Sequence, residues 1–392
     1  MNKILKKSLT AALLLSMTFG MTSCGGKAPA QGGSSPASGG DSPPDKPAMK
    51  MAMITDYGDI TDQSFNQTTY EACRKYADEN NKEFTYYKPA SDSDADRVAM
   101  IDKAIADGYD VIVLPGFSFA GPVVECAPNY PDIKFVTLDI TEGDFCSAAG
   151  TDSYSQENVF GAVYAGDISG YLAGYTAVKL GYHHLGFLGG MAVPGVVQFG
   201  QGYVKGIDDA AAETGEKIVL DYAYANQFYG DADITAAMET WYQGGTEVVF
   251  ACGGGVYTSP CEAAQPVGGK MIGVDVDQKP VIDGTYGEGI TVTSALKGLA
   301  PTVKTVLNDI ENGKWSEYGG KIRELGLVSA DDLSLNYVGL SESTQWSDKF
   351  TLEDYKATVK SIIDGERNAR TDNTSETPTA SNITINYQGN LK

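Results

Sequence analysis

The residues best suited to chemistry stand in one stretch, Asp56-Tyr57-Gly58-Asp59-Ile60-Thr61-Asp62-Gln63-Ser64-Phe65-Asn66-Gln67, directly after the first apolar run of the body. Three carboxylates recur there at intervals of three, which invites a calcium reading. A calcium loop, however, sets its ligands at alternate positions around a Gly and closes on a Glu, so no metal is expected. The only histidines are the neighbours His183 and His184, and the chain has no HExxH, paired CxxC or GxxxxGK[ST]. That removes the common zinc hydrolases, zinc ribbons and P-loop NTPases. No nucleophile–base pair stands out, so neither an enzyme, a catalytic residue nor a cofactor is expected.

What remains is recognition. Asp56, Asp139 and Asp275 each close an apolar run, as do Gly254 within its glycine run and Lys297; Phe65, Asn66 and Phe199 open helical patterns. A carboxylate accepts from ring N–H groups, amines or paired hydroxyls, and an Asn both gives and accepts. Aromatic faces suit a planar heterocycle, with stacking worth roughly 1–3 kcal/mol per base. Glycine lets backbone approach a ligand closely. The set reads as a binder of a neutral polar ring compound, with a sugar as an added possibility.

These residues need elements to hold them. Strands are expected at 51–55, 83–87, 110–114 and 134–138, with helices over 66–79 and 94–106 between them. A long helix is expected over 156–180, ending at Gly181, where the rhythm restarts. Strands at 185–188, 218–222, 247–251 and 271–274 alternate with helices at 196–212, 234–242 and 259–264. Segments 290–294, 299–310 and 322–327 complete two sheets, and 351–364 is a last helix. The expected class is α/β, with two lobes, each a mostly parallel sheet flanked by helices and joined by crossover segments. The lobes are drawn as 49–152 plus 277–325 and 153–276 plus 326–365, hinged near 152, 276 and 325, with 366–392 a loosely held polar tail. Open parallel sheets bind at the carboxyl ends of their strands, so Ser64 should cap a helix whose mouth lies over the cleft.

Composition agrees with a folded, exported body. With 29 Lys+Arg against 51 Asp+Glu, the formal charge of −22 disfavours nucleic acid, which is held by basic clusters. Lys3, Lys6 and Lys7 precede a mostly apolar run over 9–20, too short to span a membrane, so 1–23 reads as a signal peptide. Thr22 and Ser23 lead into Cys24 in the manner of a bacterial lipobox, whose cysteine is acylated. From 25 to 48, 19 of 24 residues are Gly, Ser, Pro or Ala, a flexible tether. Cys73, Cys126, Cys146, Cys252 and Cys261 match no framework and read as small hydrophobes, with a 252–261 bridge left open.

The stretch 56–67 resembles the opening D-x-G-x-x-D-x-S-F-N-Q of the basic membrane protein family, purine-nucleoside-binding lipoproteins of bacterial ABC transporters. The likeness continues through L-P-G-F (114–117), P-D-I-K-F (131–135), G-Y-L-A-G-Y (170–175), G-F-L-G-G-M-A-V-P (186–194), Q-F-G-Q-G-Y-V-K-G (198–206), G-V-D-V-D-Q (273–278) and T-S-A-L-K (293–297). It implies a type I periplasmic-binding-protein fold that closes on a nucleoside. By position, Phe65 and Phe199 would sandwich the base, Asp56, Asn66 and Asp139 would bond its edge, and Gly254, Asp275 and Lys297 would hold the ribose. The implied partners are an ABC permease and, through the lipid on Cys24, the outer face of the cell membrane. The same fold also takes sugars, nucleobases and signalling molecules, and a nucleoside-cleaving enzyme is the third reading.

Overall fold

The apolar runs become strands and the amphipathic stretches become the helices between them. The computed structural model describes residues 49–56 and 58–392. The signal sequence, Cys24 and the tether lie outside the described residues. In chain order the first lobe runs β1 (Lys50–Ile54), α1 (Phe65–Asn80), β2 (Glu83–Tyr87), α2 (Asp94–Ala106), β3 (Val111–Pro115), α3 (Ala120–Cys126), β4 (Lys134–Leu138), α4 (Glu142–Ala149) and β5 (Val159–Tyr164). The second runs α5 (Gly166–Leu180), β6 (His184–Gly189), α6 (Pro194–Thr214), β7 (Val219–Tyr224), α7 (Ala232–Gln243), β8 (Val248–Cys252), α8 (Thr258–Ala264), β9 (Lys270–Asp275), α9 (Lys279–Tyr286) and β10 (Thr291–Lys297). Then α10 (Leu299–Glu311) and β11 (Lys321–Leu325) return to the first lobe, before β12 (Val338–Leu340), α11 (Leu352–Ile363) and β13 (Thr384–Asn390) rejoin the second.

The first sheet has the order β11-β5-β4-β3-β1-β2 and the second β12-β10-β9-β8-β6-β7-β13. All pairings are parallel except β10 with β12. The central strands β3 and β8 are buried along their whole length, as helices on both faces require.

The lobe boundaries differ from those read in the sequence. β5 belongs to the first sheet and β10 to the second, so the chain crosses after Tyr164, after Lys297 and after Leu325. The reason is visible in Val159–Tyr164: it is buried on both faces, lacks alternation and runs straight into the equally buried α5. Such a run cannot be told from a helix by periodicity. The tail expected to hang loosely over 366–392 instead supplies β13, paired with β7.

Glycines set the closest helix contact. A Cβ at Gly170 would stand 2.1 Å from the carbonyl oxygen of Phe199, and one at Gly174 2.3 Å from that of Tyr203. In return, Gly202 and Gly206 of α6 leave room for the α5 backbone at Asp167 and Tyr171. The motifs G-Y-L-A-G-Y and G-Q-G-Y-V-K-G are thus two faces of one backbone-to-backbone contact, and Phe199 rides on it. Cys73, Cys126, Cys146, Cys252 and Cys261 are free thiols, all but Cys146 buried. Among the described residues no helix is long and apolar enough to cross a membrane.

Candidate functional site

Between the lobes, at the carboxyl ends of the strands, lies a cleft of about 580 Å³. That is within the range of small-molecule sites. All eight residues singled out for binding line it: Asp56, Phe65, Asn66 and Asp139 from the first lobe, and Phe199, Gly254, Asp275 and Lys297 from the second.

The first wall is built by a carboxylate that caps α1. Asp62 accepts from the backbone N–H groups of Ser64 and Asn66 at 2.9 Å and of Gln67 at 3.0 Å. Burial pushes its carboxyl up, and those donors pull it back only in part. Ser64 occupies the cap position, yet its side chain makes no capping bond. Its hydroxyl instead donates across the cleft to Asp275 Oδ2 at 2.5 Å, so the cap read in the sequence at Ser64 is corrected to Asp62. Phe65 follows, half-buried, as the first residue of α1. Asn66, 4 % exposed, donates its Nδ2 to Asp62 at 3.3 Å and leaves Oδ1 buried with no partner among the described residues. The orientation follows from charge, since only the NH₂ side can face a carboxylate. A buried acceptor left without a donor costs about 1–3 kcal/mol, so Oδ1 is a ready acceptor for a group that enters the cleft. Asp56 accepts from Gly58 N at 2.6 Å, and a Cβ at Gly116 would stand 3.2 Å from its carboxylate.

The second wall meets the first at one ammonium. Lys297 Nζ stands 2.5 Å from Asp139 Oδ2 and 3.8 Å from Asp275 Oδ1. It also lies 5.1 Å from the ring centre of Phe65 and 5.3 Å from that of Phe199. One aromatic from each lobe therefore faces the same point. Phe199, 2 % exposed, sits deep in the wall with its edge against Phe250, while Phe65 is at the mouth. Burial opposes the charge on Lys297, but Asp139 and Asp275 outweigh it and hold its pKa above the usual lysine value. Burial raises the Asp275 carboxyl, which Lys297 and the Ser64 hydroxyl only partly offset. Asp139, which the family likeness sets at the base, and Lys297, which it sets at the ribose, thus form one ion pair between the lobes.

Backbone strain gathers here as well. Asp139 (φ 61°), Asp275 (φ 66°) and Asn226 (φ 59°) are left-handed, each at or just past a strand end. Asp and Asn tolerate that conformation better than other side chains, and such residues concentrate at functional sites.

The segment 226–229 also lines the cleft and carries no role in the sequence reading. That reading ended the strand at Tyr222, two residues short of β7, so the residues past its true end escaped the strand-end rule. Phe228 explains the glycines opposite. A Cβ at Gly190 would stand 2.4 Å, and one at Gly253 2.8 Å, from its ring, and one at Gly254 3.0 Å from its carbonyl oxygen. These glycines seat Phe228, and Gly254 also lines the cleft. Among the described residues, the lining sets Asp56, Asp59, Asp62, Asp139 and Asp275 against Lys88 and Lys297, an acidic balance that favours neutral or cationic guests.

The Bmp model, described as ABC transporter substrate-binding protein PnrA-like, matches residues 49–365. The chain is 29 % identical over 311 residues to the ABC transporter nucleoside-binding protein BmpA of Lactococcus lactis subsp. cremoris, covering 74 % of this chain and 83 % of that protein. It is 27 % identical over 287 residues to an uncharacterized lipoprotein of Pyrococcus abyssi, covering 71 % and 67 %. In architecture it is similar to an ABC transporter solute-binding protein of Conexibacter woesei, with a TM-score of 0.63 at 22 % identity over 83 % of this chain and 99 % of that one. The two facing sheets are those of the type I periplasmic-binding-protein fold.

Proposed function

We propose, from the premise that this chain belongs to the Bmp family of PnrA-like ABC transporter substrate-binding proteins, that its ligand is a purine nucleoside, closed between the lobes and delivered to a membrane permease. The observation that carries this reading is the pair Phe65 and Phe199, one from each lobe, converging on one point of an acidic cleft. A flat base fits between two rings. Asn66 Oδ1 and the Asp56 carboxylate supply acceptors for its N–H groups, and Asp275 with Lys297 supplies an acceptor and a donor for ribose hydroxyls. The nucleoside-binding relative supports the same ligand class. The lipobox at Cys24 and a lipoprotein relative support a lipid-anchored position on the extracytoplasmic face.

Calorimetric titration of the purified chain with inosine, guanosine, adenosine and free ribose tests the reading. Saturable binding of a nucleoside, with ribose far weaker, is expected. A folded protein that binds no nucleoside up to millimolar concentration overturns it.

A further inference from the structure

The family match stops at residue 365, yet the chain beyond it is woven into both the hinge and the cleft. Arg370 spends its guanidinium on two crossovers at once. Nε donates to Asp167 Oδ2 at 2.9 Å, just after the β5–α5 crossing, while Nη1 and Nη2 donate to Glu324 at 2.9 and 2.6 Å, just before the chain leaves β11. Asp167 is fully buried, and the backbone N–H of Thr371 adds a second donor to the same oxygen at 3.2 Å. β13 then covers the outer edge of β7, and Asn386 and Gln388 bond Asp221 and the Trp241 indole beneath it.

The end of the segment reaches the cleft wall. Leu391 N donates to Tyr224 O at 2.8 Å, and Lys392 Nζ pairs with Asp231 and, at 3.3 Å, with Asp233. Asp231 is the node: one oxygen caps α7 through the N–H groups of Asp233 and Ile234, and the other takes Gln227 Nε2 at 2.8 Å. The bond from Lys392 is the first of the causes that hold the Asp231 carboxyl down at about 2. Lys392, Asp231 and Gln227 thus form a continuous chain of contacts to the segment that carries Phe228 over the cavity.

We propose that residues 366–392 are a positioning strap for ligand binding, in which Lys392 braces the Asn226–Asp231 wall and Arg370 ties together two of the crossovers about which the lobes turn. The strap acts through Asp231 and Asp167 and touches no ligand itself. Only its ligand readout rests on the nucleoside reading.

Full-length Lys392→Ala and Arg370→Met test it by two measurements. Hydrogen exchange of the amides at 226–231 in the free protein reads the brace without any ligand. Exchange there should quicken in Lys392→Ala while β3 stays protected, and Arg370→Met should quicken exchange at the β5–α5 crossing. Stopped-flow release of inosine should be about two- to fivefold faster in Lys392→Ala, the scale of an exposed charge pair. Exchange at 226–231 and inosine release both equal to the parent's in Lys392→Ala overturn the proposal, even should Arg370→Met fail to fold. If the parent itself binds no nucleoside, the ligand reading falls, and the exchange measurement still decides the strap.

Discussion

Replacing Lys297 by Met should show what one buried ammonium does for this cleft. The side chains of Lys297 and Asp275 are each 7 % exposed and that of Asp139 is 18 % exposed. Attraction at the Asp275 separation is about 4 kcal/mol at an effective dielectric constant near 20. The cost of drying the ammonium offsets part of it, and leaving two carboxylates without their cation should destabilise the fold by about 3 kcal/mol at neutral pH. Met keeps the aliphatic stem, so packing changes little. The pH dependence has a definite sign. Asp275 is already raised by burial, and without Lys297 it rises further, so its penalty is fully present above that raised folded value and fades as pH falls from there to the ordinary Asp value. In the parent, the raised Lys297 contributes stability below the usual lysine range and loses it as pH climbs through its folded value. Urea unfolding of both proteins at pH 7.5 and about 3.5 measures this, and Asp275→Asn in the Met background should recover part of the loss. A deficit that is equal at both pH values, or below about 0.5 kcal/mol at neutral pH, refutes the electrostatic reasoning.

Further outcomes follow from the same geometry. Gly170→Ala forces a Cβ to 2.1 Å from the Phe199 carbonyl oxygen, so thermal unfolding should reveal a loss of about 3 kcal/mol, the upper end of ordinary overpacking. Asn66→Ala removes the buried Oδ1 that has no partner, and calorimetry should find nucleoside binding about three- to tenfold weaker while the urea midpoint of the free protein holds or rises. A 5′-monophosphate brings negative charge into a lining of five aspartates and two lysines, and competition against the parent nucleoside should place it about 100-fold weaker.

Local patterns carried much of this into the sequence. The strands at 83–87 and 134–138 and the helix at 94–106 match their expected bounds because turn and capping residues frame them. The eight positions in the cleft were reachable because motif spacing and strand ends point to one mouth. What stayed hidden depends on long-range contact. Ser64 reads as a cap until Asp275, 211 residues away, is seen to take its hydroxyl. β5 merges with α5 because both are buried almost throughout and neither shows a clear alternation, and β13 looks like a polar tail because its residues alternate between exposed and half-buried at the edge of a sheet. Nothing in the sequence links Gly190 and Gly253 to Phe228, whose ring leaves no room for a Cβ at either.

The central claim concerns what lies between Phe65 and Phe199, and proton NMR of bound inosine reads it directly. Two flanking rings should move the H2 and H8 resonances of the base upfield of the free nucleoside, with the displacement reduced in Phe65→Leu and again in Phe199→Leu. Base resonances at their free positions in a saturated complex, or a displacement untouched by either substitution, would contradict the account.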